Sequence, residues 1–404
     1  MGAARRAGFA VAALVLALPA GLAAAGPARA DQVRDAQQWV LDMVNAQAAW
    51  TVTQGAGMTV AVIDSGVNPQ VSDLAGSVTT GPDLTRVGTP MGNPDWGQHG
   101  TWMASLIAGH GTGGGADGIL GTAPRAKILS IRVITDPGDP GYKKYQREPP
   151  SESQDALAKA IRDAVNDKVG VISMSIGYDG PSRSVRSALQ YAYQHNVVVL
   201  ASSGNSGKPT RRSAPYSFPA DYPGVIGVAA VNQQGQSAGF SSDNLSVQLA
   251  APGVNVPAQG RNGQYWLVSG TSPACALTAG VAALIRAAYP RLPAPQVAAA
   301  LTRSTHNRPS GGYDDRVGFG TVDAAAALTA AKHLAAAPAT TAGLATAVHF
   351  GGGRSAVPPA PVVKRGPGLL ILFALFAVVS LALVSAAVSG LVVLRRQHSG
   401  PAAP

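Results

Sequence analysis

The sequence predicts an α/β fold built round a mainly parallel sheet, followed by a single C-terminal transmembrane helix. Three observations carry this expectation. Apolar runs of strand length alternate with helical patterns through the middle of the chain, the signature of helices layered on a parallel sheet. Residues 1–30 have the charge and apolar pattern of an export signal. Leu369–Leu394 is an uncharged, mostly apolar run, and at 1.5 Å per residue it reaches roughly 39 Å, enough to cross a hydrocarbon core with tilt.

The elements follow in chain order. Arg5 and Arg6 precede the apolar run Phe9–Leu18, and Ala28-Arg-Ala30 sets small residues at both cleavage-determining positions. The mature chain then begins at Asp31; the alternative, an uncleaved anchor, needs a longer apolar run than this one. Strands are expected at Thr59–Ile63, Lys127–Val133, Val169–Ile176, Val197–Ala201 and Val225–Val231. Between them the clearest helix is Gln154–Lys168, with Ala156, Leu157, Ala160, Ile161, Ala164 and Val165 on one face. Ser151–Gln154 fits a capping box before it. Thr135–Pro150 is rich in Pro, Gly and charge and reads as an exposed insertion. A domain over 31–333 would pass into an Ala/Pro/Gly/Thr-rich stalk over 334–368, then the span 369–394, then a cytoplasmic tail 395–404. Lys364-Arg365 and Arg395-Arg396 flank the span, so local charge does not orient it. The export signal does, and places the bulk of the chain outside a cell membrane crossed once. A buried core helix is the alternative for 369–394, but no segments remain to surround it.

The chain has 404 residues and a formal charge of +10. Arg5, Arg6 and Arg29 lie in the leader, and Arg354, Lys364, Arg365, Arg395 and Arg396 lie near the span. Neither end contains an acid, so removing these three and five charges leaves +2 for residues 31–350. A nucleic-acid partner is excluded on that distribution. The single cysteine, Cys275, excludes an internal disulfide.

Three short motifs stand at separate strand or helix ends. Val60–Val67 (VAVIDSGV) is a buried strand ending in Asp64, with Gly66 for the turn. Gln98–Gly109 (QHGTWMASLIAG) places His99 at the opening of a helix of small and apolar residues. Ser269–Gly280 (SGTSPACALTAG) places Ser272 at the start of another. Alone, each has an ordinary reading: a turn carboxylate, a surface imidazole, a helix cap. Together they run Asp, His, Ser in chain order, separated by 35 and 173 residues. The glycines at 109, 111 and 114 formally match a dinucleotide fingerprint, but they follow a helix and precede a strand, the reverse of such a site.

On these motifs residues 36 to 330 resemble the subtilisin-like (S8) serine protease family, whose triad has this chain order. The resemblance implies the subtilisin-like three-layer fold and hydrolysis of protein or peptide substrates. His99 would take the proton of the Ser272 hydroxyl, a weak nucleophile at neutral pH, and Asp64 would fix the imidazole tautomer. Ser202-Ser-Gly-Asn205 resembles the family segment carrying the oxyanion-hole asparagine, here Asn205. Ser173–Gly177 resembles the strand that pairs with substrate backbone, so Ser175, Ile176 and Gly177 are the substrate-binding candidates. Gly121–Pro124 and Phe218–Pro223 are further family-like scaffold segments. Calcium is frequent among subtilisins, but no Asp/Asn cluster here has ligand spacing, so no cofactor or metal is expected. The family commonly has Met, Pro and Gly where this chain has Pro273, Ala276 and Gln98. Pro273 disfavours an α conformation at Ser272.

An exported protease domain with a C-terminal membrane helix is similar to the mycosins, the membrane-anchored subtilases of bacterial type VII secretion. Fewer than thirty residues separate Ala30 from Thr59, too few for a folded inhibitory prodomain. Gln38–Trp50 looks like the short N-terminal arm of that group and would pack on the domain. The resemblance implies an endopeptidase acting on secreted or envelope proteins, associated with a type VII membrane complex. A generic surface-anchored subtilase and a catalytically weak structural subunit of such a complex stay open beside it.

Overall fold

The computed structural model describes residues 30–207 and 216–336, together with Ser380 and Ser389. The leader up to Arg29, the stalk beyond Ala336, and all but those two serines of the span and tail lie outside the described residues.

The chain opens with α1 (Ala30–Val44) and α2 (Ala46–Trp50), then enters β1 (Thr59–Asp64) and the edge strand β2 (Val78–Asp83). Next come α3 (Gln98–Ala108), β3 (His110–Thr112), β4 (Asp117–Leu120) and β5 (Lys127–Arg132). The short α4 (Tyr142–Tyr145) and long α5 (Pro150–Asn166) lead to β6 (Val171–Met174), α6 (Arg183–Gln194), β7 (Val198–Ser202), β8 (Val225–Val231) and β9 (Val247–Pro252). A hairpin, β10 (Val256–Gln259) and β11 (Tyr265–Val268), precedes α7 (Thr271–Ala288), α8 (Ala294–Arg303) and α9 (Ala324–Ala336).

Seven strands form one sheet in the order β2-β5-β1-β6-β7-β8-β9, every neighbouring pair parallel. The period-2 alternation of strand side chains sorts them into two cores. Val60 and Val62 of β1 face the core shared with α3, α7, α8 and α9, whereas Ala61 and Ile63 face the one shared with α5 and α6. This is a helix–sheet–helix sandwich, as expected. The chain moves from β1 to β5 on one side and returns to β6 on the other. Asp64 therefore ends a strand where the winding reverses, the point at which open α/β sheets form a crevice.

The expected strands appear with boundaries shifted by no more than one residue, except that β6 is two residues shorter at each end. β2 was not foreseen, because its sequence VTTGPD is polar and its side chains are half-buried or exposed. The expected capping box is absent: α5 begins at Pro150, whose fixed φ starts a helix, and no side chain caps it. α9 continues to Ala336, through the first residues read as stalk. Among the described residues one helix is long and apolar enough to cross a membrane, and it is α7, the buried core helix.

Thr135–Pro150 is only in part the exposed insertion its composition suggests: its prolines and Lys143, Lys144 and Arg147 are exposed. Asp136, Asp139 and Tyr145 are buried within it. Arg132, only 1% exposed, extends from the end of β5 between Asp139 (2.5 Å) and Asp83 (2.6 Å). Thr89 donates its hydroxyl to Asp139 as well. A buried guanidinium needs carboxylates that hydrogen-bond it, and these fold the charged segment inward.

Candidate active site

The site is assembled at the carboxyl ends of β1, β6 and β7. Asp64, the last residue of β1, is 1% exposed, and its Oδ1 accepts the Nδ1–H of His99 at 2.8 Å and the Ser65 N–H at 2.7 Å. The approach of α3 that permits this bond depends on two glycines. Gly66 has φ of 102°, and a Cβ there would lie 2.5 Å from the Trp96 ring. A methyl group at Gly100 would collide with the Gly66 carbonyl oxygen. Helix and turn can touch only because both side chains are missing.

Every opening N–H of α3 has an acceptor. Asp136 Oδ2 takes the Gln98 N–H at 2.8 Å and Oδ1 takes the His99 N–H at 3.2 Å. Ser65 Oγ takes the Gly100 N–H at 3.0 Å, and the Gly97 carbonyl takes the Thr101 N–H. The Gln98 side chain accepts the Arg261 N–H and ties α3 to the β10–β11 hairpin. Trp102 sets its ring edge near His99, with centroids 6.1 Å apart, and meets Trp266 on its other side.

With Nδ1 donating to Asp64, the His99 ring presents Nε2 as its basic nitrogen. Burial works to lower the pKa of His99. The Asp64 charge and hydrogen bond, with the Asp136 charge, outweigh burial and raise it above 6.5. Burial raises Asp136 above the usual carboxylate range, with Asp64 adding to the rise, while His99 and the bonds from Ser65 and His99 oppose it.

Ser272 is the second residue of α7 and is half-buried. Before the helix, Gly270 has φ of 155° and ψ of 173°, a conformation open to glycine, and a Cβ there would lie 3.4 Å from Asn205 Nδ2. Asn205, just beyond β7, accepts the Thr271 N–H at 2.9 Å and the Thr271 hydroxyl at 3.0 Å on its Oδ1. Thr271 Oγ1 in turn accepts the Gly204 N–H at 3.2 Å. Ser175 donates its hydroxyl to the Ser272 carbonyl at 3.3 Å. Ser175, Ile176 and Gly177 follow the last paired residue of β6, and the Ile176 side chain is buried in the core beneath α5 and α6.

The structure thus joins Asp64 to His99, and docks the Ser272 turn on the segments carrying Asn205 and Ser175. Among the described residues the His99 ring hydrogen-bonds through Nδ1 alone, and no hydrogen bond links it to the Ser272 hydroxyl. Pro273 does not bar the helix: Ser272 is helical, and proline at the third position removes an N–H that has no partner inside the helix. Cys275, fully buried one turn on, has its thiol pushed up to about 12 by burial, so it is a neutral packing group. Among the described residues no group of three His, Cys, Asp or Glu side chains is gathered to hold a metal ion.

Sequence reading did not single out Asp136, Ser65, Thr271 or Trp102. Thr271 could have been found from its place beside Ser272. Asp136 had no signal, because its contact with residues 98 and 99 exists only in the folded chain.

Three known proteins are similar to this chain over most of its length. Mycosin-1 of Mycobacterium tuberculosis is 34% identical over 318 residues, covering 68% of this chain and 69% of the relative. Thermitase of Thermoactinomyces vulgaris is 32% identical over 256 residues, 63% of this chain and 84% of the relative. The solved MycP3 protease from the type VII (ESX-3) secretion system superposes with a TM-score of 0.60 and 30% identity, covering 72% of this chain and 87% of that one. The profile of the subtilase family, peptidase S8, matches residues 55–320. With that match, the chain belongs to the subtilase family and is a serine endopeptidase of the subtilisin type, similar to the mycosins.

Proposed function

We propose that Asp64, His99 and Ser272 form the catalytic triad of an exported, membrane-anchored endopeptidase that cleaves secreted or envelope proteins beside a type VII secretion complex. The observation carrying this reading is the 2.8 Å bond from His99 Nδ1 to buried Asp64, set next to a serine docked by Asn205 and Ser175. The type VII context is supported by the similarity to mycosin-1 and MycP3.

Substrate backbone would lie along Ser175–Gly177, beyond the paired part of β6. His99 Nε2 takes the Ser272 proton as Oγ attacks the scissile carbonyl, and Asp64 stabilises the imidazolium. The oxyanion would sit between the Asn205 Nδ2–H and the Ser272 N–H. The latter is not spent inside α7 and lies at the positive end of its dipole. Thr271 holds the carbonyl end of Asn205, so the amide end is directed without a reorganisation cost at the moment of reaction. His99 then gives its proton to the leaving amine. The acyl ester on Ser272 is hydrolysed by water through the same base.

A fluorophosphonate probe applied to the full chain in membranes tests this reading. Labelling is expected for the parent and absent for Ser272→Ala. A folded parent that takes no label overturns the triad. The structural-subunit alternative is tested in the producing cell: secretion that survives Ser272→Ala but is lost on deleting Leu369–Leu394 assigns the indispensable role to the anchor.

A further inference from the structure

We propose that Asp136 is a positioning residue for His99, capping α3 from outside the helix and holding a second negative charge beside the imidazole. This rests on the triad reading and extends it to a residue outside the three motifs.

The N-cap of α3, Gly97, has φ of 77° and no side chain with which to cap. The opening N–H groups of a helix must find acceptors elsewhere, and a carboxylate there also meets the positive end of the dipole. Asp136 supplies both functions from a loop more than thirty residues away in sequence. One oxygen takes the Gln98 N–H and the other the N–H of His99 itself, so the main chain of the base is held by this carboxylate. The loop is braced in turn. The Asp139 N–H donates to the Asp136 carbonyl at 3.0 Å, the Asp139 carboxylate grips Arg132 and Thr89, and the Gly141 N–H closes on Asp139 at 2.7 Å. Asp136 is 9% exposed, so its charge acts on the ring with little solvent screening.

The charged groups round His99 come from each packed element. Asp64 stands at the end of β1, and Asp136 in the loop after β5. Arg261, beyond β10, has Asp95 and Asp136 for its counter-charges and donates to the Trp96 carbonyl at 2.6 Å. Arg132 is engaged by Asp83 and Asp139. Cys275 near Asp64 is neutral. Asp64 and Asp136 are therefore the anions that support the imidazolium, and their mutual repulsion is relieved when His99 is protonated.

Asparagine keeps one acceptor oxygen for the helix mouth but loses the charge and the second acceptor, so the His99 midpoint reads the charge while the rates also read the lost bond. The rate of fluorophosphonate inactivation is measured against pH on the full chain, for the parent, Asp136→Asn and Asp136→Ala. His99 is titrated separately by NMR in ¹⁵N-histidine-labelled Ser272→Ala, with and without Asp136→Asn. The expected result is a His99 midpoint and an acidic inactivation limb that both move to lower pH in Asp136→Asn. Asp136→Ala should lose a further tenfold or so in plateau rate through the slackened helix end. An Asp136→Asn protein whose His99 midpoint stays at the parent value overturns the proposal, even if Asp136→Ala does not fold. A parent without labelling overturns the triad alone, since the NMR titration still reads the effect of Asp136 on His99.

Discussion

The helices carrying His99 and Ser272 begin in opposite ways. In α3 the opening N–H groups are all taken, by Asp136, Ser65 and Gly97, and a carboxylate offsets the dipole. In α7 no side chain caps Gly270; the Thr271 N–H is used by Asn205, Pro273 contributes none, and the Ser272 N–H is the donor left at the helix mouth. The closed end fixes the main chain of His99. Under the proposed mechanism the open end would offer a positive site for charge that appears only during reaction. One physical feature, the unsatisfied first turn of a helix, would then serve as an anchor in one place and a receptor in the other.

Replacing Ser272, the proposed nucleophile, should give the largest effect and spare the open end. Ser272→Ala should lower kcat by about 10⁶ while keeping the Ser272 position N–H, so the residual rate over water measures what the oxyanion donors do alone. Asn205→Ala should cost about 10²–10³ in kcat, with KM little changed, as loss of the corresponding donor does in subtilisin. An equal rise in KM would mean that Asn205 binds the ground state instead.

Gly100→Ala attacks the closed end. Its methyl group meets the Gly66 carbonyl, so thermal or urea denaturation should show a loss of about 1–3 kcal/mol. The pH profile reads the same end electrostatically. Because the His99 pKa is raised, kcat/KM should fall as pH drops through a value above 6.5, where the imidazole gains a proton and can no longer accept that of Ser272. The linked stability has the opposite sense. The charged His99–Asp64 pair stabilises the fold fully below the unfolded value of 6.5, and this contribution is lost as pH rises through the raised folded value. Pro273→Ala is the mildest change. It restores an N–H to a position that has no helical partner, and activity should stay within about threefold.

The strands and the three motif residues were legible because each is a local pattern. Thr59–Asp64 is an apolar run ended by a carboxylate, and the His99 and Ser272 helices are small-residue runs behind a fixed opening. Two local readings held only in part, because tertiary contacts took over. Thr135–Pro150 has the composition of a solvated loop, yet Arg132 lies buried at the end of β5 and draws Asp139 inward. Pro273 disfavours α geometry at Ser272, yet α7 begins at Thr271, where Thr271 donates to Asn205 and Ser175 donates to the Ser272 carbonyl.

By itself the sequence determined the parallel α/β layering and the motifs that carry Asp64, His99, Ser272 and Asn205, since hydrophobic period and motif context act over a few residues. Only the tertiary structure decided which groups surround them. Asp136 meets His99, and Thr271 meets Asn205, through contacts that exist only once parallel strands align their carboxyl ends. A carboxylate shows its role in sequence only when its partner is a neighbour in the chain, and here the partner is a neighbour in space.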